Sequence, residues 1–469
     1  MSCELKILSH ACLLVKTETS SVIIDPWLVG SCYWRSWWNF PEAVYSEVEL
    51  DGVDAVIISH LHWDHWHGPT LKKYFKDKPV IVSDDPSLRS VEDLRSIGYS
   101  DITKVGHGIS TYVGDIKITF YNFGLFLTDS AIVVEAHGVT ILNANDAKIA
   151  GLPLNYIVNK HGPIDFALRS HSSANARVCY EIPNDGSFIN DDREHYFRSF
   201  KLFMDRVKPR YAIPFASNHC HLNYDGLKFN SYISDPVELR SYMTSRFSDL
   251  PWSLEVMLPG SSWSSMTGFN FVNEDCFTNK ERYLKEYAIR VSERIEFYQD
   301  RESKVKINNK ILDKFASLLK KSGASKLKVP IRFLITSPES VDDRGFKVKE
   351  GEVISVDNIS HMPEKNCPVI VMPNTVFRDA TLKNMFHHAA ISKRCRYIAF
   401  DQNDMVNLKS FVGLLERYEL TGDVSLSYLF RLCRSYRGRW RELLVYVQAL
   451  YLRKSKRLEM YQIEEHILK

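Results

Sequence analysis

The stretch DAVIISHLHWDHWHG, Asp54 to Gly68, constrains this chain more than any other. Ala55, Val56, Ile57 and Ile58 form a short, mostly β-branched apolar run that reads as a buried strand. Behind it come four imidazoles, His60, His62, His65 and His67, and the carboxylate of Asp64. A strand that ends in a turn fixes the backbone, so the side chains after it converge on one point. Imidazole nitrogen and carboxylate oxygen are ligands for Zn, Fe or Mn. His60 and His62 are spaced to hold one cation. Asp64 and His65 face a second, the layout of a two-metal hydrolytic site. The alternative is a His-rich surface loop, but ligand type, spacing and context together favour metal. His67 falls outside the core pattern, and its nearness to the site stays open.

A length of 469 residues allows two to three domains. Apolar content of 45% and charged content of 25% are those of a soluble globular protein. Sixty basic against 57 acidic residues leave a net charge of +3, too near balance to imply a polyanionic partner. No apolar run reaches the length of a membrane span, and the opening MSCELKILSH reads as a strand rather than a signal peptide. A cytoplasmic protein without a membrane partner is therefore expected. The nine cysteines are scattered without a CxxC pair, which points to reduced thiols and excludes a Cys/His iron–sulfur cluster within these residues.

Along the chain, residues 5–30 read as two strands. Ser31 to Glu42 is a loop dense in Tyr33, Trp34, Trp37, Trp38 and Phe40, with Arg35 among them. It should overhang the metal site, where Trp34, Arg35 and Trp37 could stack on a substrate; equally, the rings could cover the edge of the fold. Strands follow at Asp115–Phe123 and on either side of a His137–Gly138 turn. Ile164 to Tyr180 is a strand running into a loop whose His171, Ser172 and Ser173 either contact substrate or serve the structure. His107 falls in a turn and reads as structural.

The metal stretch, together with LSHACLLVKTETSSVIIDPWL (Leu8 to Leu28), resembles the metallo-β-lactamase fold superfamily over residues 1 to roughly 265. The resemblance implies an α/β fold, an αββα sandwich, with residues 266–469 as a C-terminal α+β extension ending in helices. It makes Asp146, after the strand with Ile141 and Leu142, the carboxylate that bridges both cations; a helix N-cap is its other reading. The third His that the family supplies to the first cation is missing from NFGLFLTD. Asn122, Asp129 or His171 could replace it, or that cation is held loosely. The last ligand is assigned to His221 or His219, with His221 preferred. DPWL, SCYWRSWWNFP, ILNAND and YAIPFASNHCHLNYD look most like the branch of CMP-N-acetylneuraminate and UDP-N-acetylmuramate hydroxylases, here without a Rieske cluster.

A dinuclear hydrolase acting on a small polar ester, lactone, amide or phosphoester is the leading expectation. Its two divalent cations are Zn or Fe, with Mn also admitted by the ligand chemistry. Asp64 is the candidate to accept a proton from water, and His171 a second catalytic candidate. The alternative is a di-iron oxygenase with a separate reductase. A third reading is a nuclease or nucleic-acid binder using the basic final helices (Arg431, Arg434, Arg437, Arg439, Arg441, Arg453, Lys454, Lys456, Arg457); the bland one is a face that is solvated or packs on a neighbouring domain.

Overall fold

The computed structural model describes residues 2–469 except 126–127, 173, 175, 183–192, 224, 328–329, 338–343, 350–351, 357–366, 423 and 457–459. Ser173 and Arg457 thus lie outside the described residues. Two sheets face each other in the first half. One has eight strands, running from the hairpin Ser262–Ser264/Gly268–Asn270 through Cys3–Ser9, Cys12–Thr17, Ser21–Ile24, Ala55–Ile58 and Val80–Ser83 to Ile102–Val105. The other has seven, from Ser253–Leu254 through Tyr211–Phe215, Phe166–Ser170, Val139–Asn145, Asp129–Ala136 and Ile116–Phe123 to Ser110–Val113.

Alternation puts Leu13, Val15, Ile24 and Ile57 of the first sheet against Phe120, Ile132, Val134 and Phe166 of the second, making the inner core. The opposite faces are apolar as well. Helices Gly68–Tyr74 and Arg89–Ser96 cover one with Leu71, Val91 and Leu94. Helices Gly151–His161, Arg193–Val207 and Pro236–Arg246 cover the other with Leu154, Phe200 and Leu239. The result is the expected αββα sandwich.

Beyond it lies a third sheet, in the order Tyr180–Glu181, Arg396–Ile398, Val369–Pro373, Ile331–Thr336, Arg344–Lys349, Glu352–Val356. Helices Asn309–Ser322, Asn374–Lys383 and Gln402–Thr421 pack on it around Phe315, Phe333, Phe377 and Phe411. Its edge strand Tyr180–Glu181 comes from the first half of the chain and pairs in parallel, Tyr180 with Tyr397. In return, the last helix, Met460–Leu468, lies against Arg193–Val207, where Glu464 accepts from Arg169 Nη2 at 2.7 Å. Sequence halves and packing units therefore interleave. Among the described residues no helix is long and apolar enough to cross a membrane.

The basic helices Leu426–Gly438 and Trp440–Lys456 pack partly on the sandwich. Arg439 is buried, pairs with Glu442 at 2.8 Å and donates to the Gly124 carbonyl. Arg431 donates to the Pro86 carbonyl, and Arg441 lies 4.1 Å from the Tyr156 ring centre. Arg431, Arg439 and Arg441, three of the basic residues that suggested nucleic acid, thus serve packing, while Arg434, Arg437, Arg453, Lys454 and Lys456 are exposed.

Candidate metal centre

The strand Ala55–Ile58 is buried on both faces between Ser21–Ile24 and Val80–Ser83, all parallel, which explains its unbroken apolar run. The parallel neighbour Ser21–Ile24 ends at Asp25, which turns back through a left-handed φ of 50°. Its carboxylate accepts Ser59 N–H at 2.7 Å, Ser59 Oγ–H at 2.6 Å and Asn145 Nδ2–H at 3.1 Å. Asp25 Oδ2 also lies 2.8 Å from His65 Nδ1. A carboxylate on one ring nitrogen fixes the tautomer that leaves the other free as a ligand. His65 Nε2 is buried, with no hydrogen-bond partner among the described residues.

Three overlapping sets of ligand atoms, each with all atoms within 4.8 Å of one another, surround this ring. In the first, His60 Nε2 lies 2.9 Å from His62 Nδ1 and 3.9 Å from Asp129 Oδ1. In the second, His65 Nε2 lies 3.4 Å from Asp146 Oδ2, with His60 completing the set. In the third, Asp64 Oδ2 lies 3.5 Å from His65 Nε2 and 3.1 Å from His10 Nε2. Ligand atoms about 2.1 Å from one ion stand roughly 3–3.5 Å apart, so this donor chemistry and spacing fit a cation. Asp129 Oδ1 and His10 Nε2, both buried and without a hydrogen bond among the described residues, fit it too. Tyr33 O–H donates to Asp64 Oδ1 at 2.6 Å, leaving Oδ2 to face the imidazoles.

The electrostatics are those of imidazoles and carboxylates buried together. Burial, and then His65, pushes His60 down to about 3, and burial holds His62 well below its ordinary value. Burial also disfavours a charged His65, but Asp64 and Asp25 outweigh it and hold that ring well above. Burial and the neighbouring Asp146 push Asp129 up to about 7.

Of the alternatives for the missing His, Asp129 is the one brought to His60 and His62. Asn122 faces away, its Oδ1 accepting from Ser130 and its backbone N–H donating to His107. Asp146 is not a helix cap, since Ala150 occupies that position in the following helix. His67 caps Gly68–Tyr74, accepting from Thr70 N–H, and stands outside the ligand sets. His171 is buried with both ring nitrogens unpartnered among the described residues, and burial pushes it to about 3. Ser172 is engaged, its Oγ accepting from Ser234 N–H.

His219 and His221 lie on a short strand antiparallel to Trp37–Asn39, and both keep a buried, unpartnered Nε2. Neither joins a ligand set. His219 stacks on Trp37 at 3.7 Å and stands 5.7 Å from His10, whereas His221 is anchored to the Ser36 carbonyl. His219 rather than His221 is thus the ring adjoining His10. The aromatic loop is packed rather than overhanging. Trp34 donates to Asp379, and Arg35 pairs with Glu302 while lying over Tyr298, so the extension covers both.

Sequence reasoning passed over three residues. His10 stood in the LSHACLL hairpin, a signal that could have been used. Asp25 had the DPWL motif behind it. His387, whose Nε2 lies 2.8 Å from His62 Nε2, had no local signal at all.

Residues 4–153 match the family model described as "Beta-lactamase superfamily domain". The sandwich they open has the metallo-β-lactamase fold. A protein of Mycolicibacterium smegmatis named for a Rieske 2Fe–2S centre is 26% identical over 318 residues, 60% of this chain and 59% of that protein. The cytidine monophosphate-N-acetylneuraminic acid hydroxylase of Mus musculus is 32% identical over 272 residues, 53% of this chain and 45% of the hydroxylase. The chain thus spans about half the length of the curated relatives it matches. Among solved structures, CmlA, a diiron β-hydroxylase from Streptomyces venezuelae, is 15% identical, with 56% of this chain and 53% of CmlA covered at a TM-score of 0.39.

Proposed function

We propose that this chain is a di-iron oxygenase that hydroxylates a small polar molecule, with electrons from a reductant outside residues 1–469. One observation carries the reading: the donor beside His60 and His62 is the carboxylate of Asp129 rather than a third imidazole. Two imidazoles and one carboxylate with open positions are the set of non-haem iron oxygenases; catalytic zinc takes such a set as well as an all-imidazole one, so the Asp129 carboxylate admits iron and metal analysis separates the two. This reverses the order of the two readings that the motif alone suggested.

In this assignment His60, His62 and Asp129 would hold the first ion, and Asp64 and His65 the second. His10 or the adjoining His219 would complete the second, and Asp146, close to both His60 and His65, would serve both. A di-iron centre supplies the redox chemistry that activates dioxygen. The chain's own residues orient and insulate it. Asp25 fixes the His65 ring, and Tyr33 directs Asp64. Buried Trp37 and Tyr33, with Trp63 against them, keep water from that side. Hydroxylation consumes R–H, O2, two electrons and two protons, and releases R–OH and water. The electrons have no carrier in this cysteine pattern, so a Rieske-type or similar donor is required. The names of the relatives pair the same two chemistries, hydroxylation and a Rieske centre. Amino-sugar nucleotides are accordingly the substrate class to assay first.

Metal analysis and a visible spectrum of protein from cells supplied with both iron and zinc test the reading. About two irons with a visible band are expected. Two zincs and no band would favour the second reading, a hydrolase activating a bridging water, since the HxHxDH and Asp146 core also suits hydrolytic sites. A panel of lactones, amides and phosphodiesters would then follow.

A further inference from the structure

The short helix Phe386–Ile391 of the extension sets two consecutive histidines against the metal loop. His387 Nε2 lies 2.8 Å from His62 Nε2, the rings stacked with centroids 5.1 Å apart. His388 Nε2 lies 3.3 Å from the carbonyl of Leu61, the residue between His60 and His62. Glu419, buried on helix Gln402–Thr421, anchors the pair by accepting the His387 backbone N–H and by its contact with His388 Nδ1. The chemistry of the hydroxylase or hydrolase readings does not use these three residues, and 325 positions separate His62 from His387.

The tautomers follow from geometry. The Nδ1 of His62 faces His60 and Asp129, so a cation there takes its lone pair. The ring proton of neutral His62 then sits on Nε2, pointing at His387 Nε2, which accepts. An acceptor on the outer nitrogen of a metal-bound imidazole holds the ring in plane and raises its basicity. For His65 that acceptor is Asp25; His62 has no carboxylate in this position among the described residues, and His387 stands there instead.

We infer that His387 is a positioning residue for the first cation: the extension completes the metal centre by orienting His62 from behind. This rests on the metal-centre reading above, though not on which metal or reaction is correct. Its consequence is that the C-terminal half is part of the site.

The test is titration of the full-length apoprotein with Co2+, following stoichiometry, affinity and the visible ligand-field bands. His387→Ala is expected to weaken one of the two sites about 10–100-fold and alter its bands, with the other site unchanged. His387→Gln, which restores an acceptor, is expected to recover most of that loss. Apoprotein melting temperature separates the effect from misfolding; if His387→Ala melts early, His387→Gln and His387→Phe at matched stability make the comparison. Wild-type affinity at both sites in His387→Ala, with two Co2+ bound by the parent, would overturn the inference alone. A parent that binds no Co2+, or keeps both ions after His60→Ala, would overturn the metal-centre reading and this inference with it.

Discussion

Asp25 and His65 meet on the floor of the centre, Oδ2 to Nδ1 at 2.8 Å, although forty positions separate them. Two parallel strands, Ser21–Ile24 and Ala55–Ile58, lie side by side in register, so the residues at their carboxyl ends emerge together. Asp25→Ala would remove the acceptor of His65, both Ser59 groups and Asn145 at once. It is expected to cost about 3–5 kcal/mol in urea unfolding, the range for breaking a buried charged pair. Co2+ affinity at one site should fall about 10–100-fold. Unchanged unfolding and binding would show that the His65 ring is held by packing alone.

In the proposed assignment Asp129 sets the character of the first site. Asp129→His would recreate a three-imidazole set and is expected to raise the zinc-to-iron ratio in protein from cells supplied with both metals. Asp129→Ala should lose one ion altogether. If both variants load iron like the parent, Asp129 is not a ligand.

The last helix is predicted to be acid-labile. Burial raises the Glu464 carboxyl, but the hydrogen bond from His195 and the charges of Lys148 and Arg169 outweigh it and hold it well below the ordinary range. A carboxyl depressed in the folded state stabilises above its unfolded value, about 4.3, and loses that contribution as pH falls below it. Melting temperature should therefore drop steeply below about pH 4.5, and Glu464→Gln should flatten that drop while lowering stability near neutrality. Parallel curves for the two proteins would rule the group out.

Arg394 ties the aromatic loop to the extension. Its guanidinium, 7% exposed as a residue, donates to Glu302 at 2.6 and 3.1 Å, to Asp225 at 2.9 Å and to the Trp34 carbonyl at 3.1 Å. Removing one partner strands the other, so Arg394→Met and Glu302→Leu should each cost about 3–5 kcal/mol. The double variant should cost less than their sum, because no charge is left uncompensated between them. A strictly additive double-mutant cycle would sever the proposed link.

Much of the site was legible because its chemistry is local. His60, His62, Asp64 and His65 lie within one turn, and a turn after a buried strand can point them only one way. Asp146 was singled out by the family resemblance, and the structure places it beside His65. Asp129 was one option among several, because which side chain of the Asn122–Asp129 region turns inward depends on the register of the hairpin, Phe123 opposite Asp129. The aromatic loop left two readings open for a related reason. Its rings are as well suited to a rim as to an interior, and only the extension's Asp379 and Glu302 decide that they are covered.

By itself, the sequence determined the buried strand and the metal-ligand loop, since apolar runs and ligand spacing act over a few residues, and through the family resemblance of those motifs it implied the αββα sandwich. Only the tertiary structure decided that Asp129 lies with His60 and His62, that His10 lies with Asp64 and His65 while His219 adjoins His10, and that His387 meets His62. These are encounters between side chains tens to hundreds of positions apart. They are set by strand register and by the docking of the extension, for which no local pattern in the chain carries a signal.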